Sequence, residues 1–276
     1  MTAIGAGCRP DDGGTAGLDV VAGFYPVAWA AERIGGGAVT VTDLTPPGTE
    51  SHDLELTTRQ VDEVLDAEVV IVLGGGFQPA VEDAAARRDG DTVEVLEELP
   101  ENQLVEGDPH VWLDPVLMVE VVDIVKDALV SADPGHEAGF RRNADDLRDE
   151  LGALDQSFRA GLASCPRDLV VSAHDAFGYL TGRYGLRNEG VAGLSPDAEP
   201  DARRLAELAD LAREEGVTTV FTEELLSPEI AETLAREAGG LRTDVLSPLE
   251  SRSEAGDYLT VMADNLDKIR TALGCS

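Results

Sequence analysis

Each of the four histidines in this 276-residue chain has a carboxylate within two residues, and three of them lie in "ESHD" at 50–53, "DPHVWLDP" at 108–115 and "SAHD" at 172–175. Neutral imidazole is a borderline ligand that suits Zn²⁺ and other first-row divalent ions. A ligating ring needs an acceptor for its second N–H, and each histidine has a candidate nearby. Asp53 serves His52, Asp108 or Asp114 serves His110, and Asp175 serves His174. Three such rings and one carboxylate would complete a tetrahedral site. Taken one at a time, each reads as an ordinary surface loop histidine, and their wide separation along the chain does not join them. His136, in "DPGHE", reads as a solvated residue at the start of a helix.

Other catalytic patterns are absent. The sequence has no HExxH, so a metallohydrolase with Glu250 or Glu223 as general base has no local motif behind it. "LGGGF" at 73–77 is not followed by GK[ST], and its glycines read as a tight turn after a buried strand.

The elements that must position these histidines alternate. "LDVVAGF" (18–24), "AVTVTDLTP" (38–46), "EVVIVLGGG" (68–76) and "DTVEVLEE" (91–98) read as strands. Helices are expected at 25–36, from Thr57 or Thr58 to 67, and at 114–134. After residue 165 the pattern resumes, with strands at 168–173, 186–193, 217–223 and 241–249 and helices at 174–185, 200–216, 227–240 and 255–273. Between the halves, Phe140, Ala144, Leu147, Leu151, Leu154, Phe158 and Leu162 form one apolar stripe on a single helix over 135–164. The expected fold is therefore α/β: two lobes with parallel four-stranded sheets, 18–134 and 165–276, joined by a long rigid helix at 135–164. His52, His110 and His174 then fall at or near C-terminal strand edges, where open α/β sheets bind ligands.

Composition narrows the partners. The 54 acidic residues outnumber 21 basic ones, for a net charge of −33. Such a surface repels nucleic acid and anionic lipid. Only Lys126 and Lys268 are lysines. An acidic, lysine-poor surface suits concentrated salt, where charges are screened within about 3 Å at 1 M, and a halophilic source is expected. No apolar run is long enough to span a membrane. Residues 1–17 resemble the end of a lipoprotein signal followed by a tether, with Cys8 as the lipidated residue; an accidental cysteine in a tail is the alternative. Cys165 and Cys275 either pair in an oxidising compartment or remain two thiols.

Six stretches occur in order: "PPGTESHD", "DPHVWLDP", "SAHDAFGYLTGRYGL", "GLSPDAEPDARRLAEL", "TVFTEELLSPEIAETLAREAG" and "VLSPLE" with "GDYLTVMADNLDKIRTAL" after it. Together they resemble the zinc/manganese-specific solute-binding proteins of ABC importers, over about residues 18–273. The resemblance implies His52, His110 and His174 as metal ligands. It implies a fourth, carboxylate ligand from the C-terminal lobe. Many relatives place an Asp where this chain has Ser247; zinc-specific members use the Glu of a Leu-Ser-Pro-Leu-Glu pattern, here Glu250. Glu223, in "FTEE", is the runner-up and a candidate support. The histidine-rich loop of many zinc members is replaced by the acidic "ELPENQLVEGD" (98–108). The implied role is that of a monomeric, extracytoplasmic, membrane-anchored binding protein. It captures Zn²⁺ and delivers it to a permease driven by an ATPase. Mn²⁺ specificity and a surface-adhesin role are the alternatives.

Overall fold

The computed structural model describes residues 17–196 and 201–276; Cys8 and the tether expected at 1–17 fall, except for residue 17, outside the described residues. Strand β1 (Leu18–Ala22) and β3 (Val69–Val72) are aliphatic and largely buried, as the middle of a parallel sheet requires. They are flanked by β2 (Val39–Asp43) and β4 (Asp91–Glu94), which mix in polar residues, in the all-parallel order β2-β1-β3-β4. The second half repeats that plan. Fully buried β5 (Leu169–Ser172) and β7 (Thr219–Thr222) lie between β6 (Arg187–Gly190) and β8 (Arg242–Val245), in the order β6-β5-β7-β8. The two α/β lobes follow the alternation in the sequence.

The helices are α1 (Tyr25–Gly35), α2 (Thr58–Asp66), α3 (Pro79–Ala85), the single turn α4 (Val95–Glu98), α5 (Pro115–Ala132), α6 (Glu137–Gly161), α7 (Gly178–Arg183), α8 (Ala202–Glu214), α9 (Glu229–Glu237) and α10 (Tyr258–Leu273). Thr57 caps α2 in a capping box with Gln60, and Asp114 and Asp257 cap α5 and α10. The helix expected over 174–185 forms only over Gly178–Arg183, and two further local expectations fail. The strand expected over 91–98 stops at Glu94: the Leu96 N–H still reaches the Leu73 carbonyl, but Val95–Glu98 coil into a turn closed by Leu99 N–H on Val95 O. Helix α3 starts at Pro79, whose ring suits the first helical turn, directly after the glycine turn where no helix was expected.

The linking helix α6 is shorter than 135–164 at both ends but keeps its stripe. Phe140, Ala144, Leu147, Leu151, Leu154 and Phe158 are all buried. α1 and α5 of the first lobe and α10 of the second pack against it. One apolar cluster runs without a break across the seam, from Phe24 and Trp112 to Phe177, Phe221, Leu249 and Tyr258. Two smaller clusters fill the outer sides, under α2 and α3 in one lobe and under α8 and α9 in the other. Hinge opening would expose part of the shared core to water, at roughly 25 cal/mol per Å² of apolar surface. Small shifts are therefore favoured over wide opening. Among the described residues no helix is long and apolar enough to cross a membrane.

Cys165, just past α6, is bonded to Cys275, just past α10. The pair left open by the sequence is thus a disulfide, and it closes a loop with a sequence separation of 110. Replacing both cysteines by serine should lower stability by about 2–5 kcal/mol, because the unfolded chain regains the freedom the cross-link removes. Guanidinium denaturation of the two proteins, without metal, checks this; equal midpoints would sink it.

Candidate metal centre

Five chain segments deliver the site: four are loops that leave the C-terminal ends of β2, β5, β7 and β8, and the fifth carries His110 just before α5. His52 lies in the loop after β2. Its neighbour Ser51 accepts at its carbonyl from Gln78 Nε2 (3.3 Å), and Gln78 also donates to Thr45 Oγ1 (3.0 Å). Gly23 makes this brace possible: a Cβ there would meet Gln78 Oε1 at 2.6 Å. The Glu50 carboxylate accepts from the backbone N–H groups of His52 (3.1 Å) and Asp53 (3.2 Å), which shapes the same loop. Phe77 packs edge-on to the His52 ring at 4.6 Å.

His110 follows β4 and is fully buried. Asp108 Oδ1 lies 2.7 Å from His110 Nδ1 and also accepts from the His110 backbone N–H at 3.0 Å. Of the two acceptors the sequence offered, Asp108 is the one used. Asp114 instead accepts from Val116 N–H and from Arg183 Nε (2.7 Å), tying α5 to α7 across the seam.

His174 follows β5, and its Nδ1 lies 2.8 Å from both oxygens of Glu223, which follows the adjacent strand β7. The expected partner Asp175 does not fill this role; its Oδ1 accepts from Asn188 Nδ2 at 2.6 Å. Glu223 therefore sits behind His174 as a support. His136 is not part of the cluster; it is exposed and paired with Asp133.

Glu250 follows β8 through a tightly held turn. The buried Asn265 side chain clasps Ser247, accepting from its N–H (3.0 Å) and donating to its carbonyl (2.7 Å). Trp112 Nε1 donates to the Pro248 carbonyl (2.7 Å), and Ser51 Oγ donates to the Glu250 carbonyl (2.6 Å). Leu249, between them, has φ 58°, the one positive value on a non-glycine among the described residues. That conformation costs about 1–3 kcal/mol and persists where surrounding contacts enforce it.

These segments bring one donor atom each from His52, His110, His174 and Glu250 within 4.8 Å of one another. Glu250 Oε1 lies 3.5 Å from His52 Nε2, 3.7 Å from His110 Nε2 and 3.4 Å from His174 Nε2. The His110 and His174 Nε2 atoms are 3.3 Å apart. Tetrahedral coordination with bonds of about 2.0–2.1 Å has donor–donor edges of about 3.3–3.4 Å. His52 Nε2 and Glu250 Oε1 are buried without a hydrogen-bond partner. An imidazole nitrogen and a carboxylate oxygen facing each other in a buried cluster suit a cation, which would satisfy both at once.

Protonation in the metal-free cluster follows from its charges. Burial alone would push the His174 imidazole down, but the carboxylates of Glu223 and Glu250 beside it outweigh that and hold the group up at about 10. His110 is raised in the same way: burial opposes, and Asp108 and Glu250 prevail. Burial would lift Glu250, yet the three imidazoles hold it well below the usual carboxylate range. Glu50, at the rim, is pushed up to about 8, first by burial and then by Glu250.

Residues 20–272 match the model of ZnuA, the periplasmic component A of zinc-uptake complexes. The chain belongs to the ZnuA family. It is 34% identical over 277 residues to the zinc-binding lipoprotein AdcA of Streptococcus pneumoniae serotype 4, covering 92% of this chain and 55% of that relative. It is 31% identical to the high-affinity zinc uptake system protein ZnuA of Bacillus subtilis strain 168, covering 93% of this chain and 88% of that one. The crystal structure of the Zn(II)-bound ZnuA-like domain of S. pneumoniae AdcA superposes with a TM-score of 0.80 at 33% identity, over 94% of this chain and 99% of that domain. This ZnuA-family chain thus spans about half the length of the AdcA relatives it matches.

The metal-free protein should be pH-sensitive in a definite sense. His174 has its folded pKa raised from 6.5, so its contribution is complete below about 6.5 and is lost as the pH climbs through about 10. Glu250 has its folded pKa depressed, so its contribution is present above its ordinary 4.5 and is lost as the pH falls through the lower folded value. Denaturation of metal-free protein from pH 6 to 10 should show falling stability, and the His174 ring resonances should titrate far above pH 6.5. A ring that titrates near 6.5 would contradict the assignment.

Proposed function

We propose that the chain is the extracytoplasmic solute-binding component of an ABC importer, and that it captures Zn²⁺ between its lobes for delivery to a membrane permease and its ATPase. The observation that carries this reading is the meeting of three imidazole nitrogens and one carboxylate oxygen at tetrahedral spacing, in a buried pocket, on a ZnuA-family fold. His52, His110, His174 and Glu250 are the proposed ligands, and Asp108 and Glu223 the groups that orient two of the rings. The lobes correspond to 18–134 and 165–276, with 135–164 as the link.

The chemistry favours a carrier over an enzyme. Four protein donors fill a tetrahedral Zn²⁺ and leave no position for a substrate or an activated water. Mn²⁺ prefers more oxygen ligands than this set supplies, and the intrinsic affinity order also places it below zinc. The disulfide fits an oxidising compartment outside the cytoplasm. Lipidation at Cys8 and a monomeric state belong to the same proposal.

Binding exchanges protons for metal. Ligation requires neutral imidazole at Nε2, whereas His174 retains its proton up to about pH 10 in the metal-free site. Proton competition therefore acts at neutral pH. Calorimetry at pH 7 in buffers of different ionisation enthalpy should register proton release on zinc uptake. The protein should take up one equivalent of zinc by elemental analysis, and His52→Ala, His110→Ala, His174→Ala and Glu250→Ala should each lose it or hold it far more weakly. Glu223→Gln should lower zinc affinity about 10–100-fold by weakening the support of His174. Wild-type protein that takes up no zinc, or that keeps full affinity without these side chains, would overturn the proposal.

A further inference from the structure

Glu250 and its neighbour in the site, Glu223, also line a cleft of about 450 Å³, together with Glu50 and the segment from Ser251 to Ala255. That segment continues directly from the Glu250 turn, so whatever fixes it also fixes one side of that cleft. Besides the approach of Glu250 to His52 and His110, three hydrogen bonds join this loop of the second lobe to the first. Two are buried hydrogen bonds already described, Trp112 Nε1 to Pro248 O and Ser51 Oγ to Glu250 O. The third lies outermost and is reached by solvent: Arg252 Nη2 donates to Glu32 Oε1 on α1 at 2.7 Å.

Arg252 does more than pair with Glu32. Its guanidinium lies over the buried Tyr25 ring, 5.0 Å from the centroid. Its charge also acts on the carboxyl of Asp43, at the end of β2. Glu32, Tyr25 and Asp43 all belong to the first lobe, so one side chain is received by a ready-made socket on the opposite lobe. An isolated exposed ion pair contributes little, but here a planar cation is stacked on an aromatic ring as well.

We propose that Arg252 is a positioning residue: a latch that holds the Glu250 turn against the first lobe and so slows escape of the bound metal. The latch rests on the zinc-capture reading above and adds a rate-determining residue to it. Release of zinc requires Glu250 to withdraw, and withdrawal pulls the 251–255 segment away from α1. Arg252 lies two residues along that segment, where a modest interaction resists the movement. Entry of the ion is governed by desolvation, so the latch acts mainly on departure. Loss of an ion pair and a cation–π contact together corresponds to about three- to thirty-fold in rate.

Stopped-flow removal of Zn²⁺ by an excess of chromophoric chelator, at low ionic strength, tests this on the full chain. Arg252→Ala should still bind one equivalent, with the dissociation rate raised about three- to thirty-fold and the association rate changed less than about two-fold. Arg252→Lys should recover part of the loss, since it restores the charge without the planar stack. Glu32→Gln, which leaves the binding loop untouched, should raise dissociation in the same direction. The double variant should fall short of the product of the two singles, because both act through one contact. Arg59→Ala, which removes an exposed arginine on α2, should match wild type. A dissociation rate for Arg252→Ala within two-fold of wild type would overturn the latch while leaving zinc capture intact, and so would fully multiplicative effects of the two single variants. Wild-type protein without zinc uptake would overturn both.

Discussion

A single carboxylate oxygen surrounded by three imidazole nitrogens sets the conditions for the whole molecule. Glu250 is almost wholly buried, and a buried carboxylate is costly unless cations or strong donors compensate it. In the metal-free protein the compensation comes from protonated imidazole; in the loaded protein a divalent ion would supply it. Either way the four side chains must be held at ångström tolerance by segments distant in sequence. The unbroken apolar core across the seam provides that tolerance, because it fixes the strand ends of both lobes relative to each other.

The supporting shell explains how the loops keep their places. Asp108 and Glu223 orient the rings of His110 and His174 from opposite lobes. Gln78, Ser51 and Asn265 fix the backbones that carry His52 and Glu250. The strained backbone of Leu249 lies immediately before Glu250, between the Trp112 and Ser51 contacts. These contacts hold the loops of both lobes in the places that bring the four side chains together.

Much of this was legible in the sequence because buried parallel strands and amphipathic helices leave strong periodic signatures. The stripe from Phe140 to Phe158 and the aliphatic runs at β3 and β5 gave the lobes and their link. The three histidines and Glu250 were legible through the motifs around them. The partners of the rings were less so: proximity in sequence suggested Asp175 for His174, whereas strand neighbours in a sheet brought Glu223 instead. The short turn α4 was hidden because β-branched Val95 continues the strand pattern by composition, and α3 because glycines and Pro79 mask its short helical run. Contacts such as Trp112 on Pro248 leave no sequence trace, since they join loops far apart along the chain.

The disulfide at the two ends of the second lobe has a further consequence. Cys165 precedes β5 and Cys275 follows α10, so every element of that lobe lies inside one covalent ring. A protease that nicks any surface loop within the ring leaves both fragments tethered, and the last helix cannot drift from the first strand. Damage in an environment rich in proteases would thus open the backbone without releasing the piece that carries Glu250.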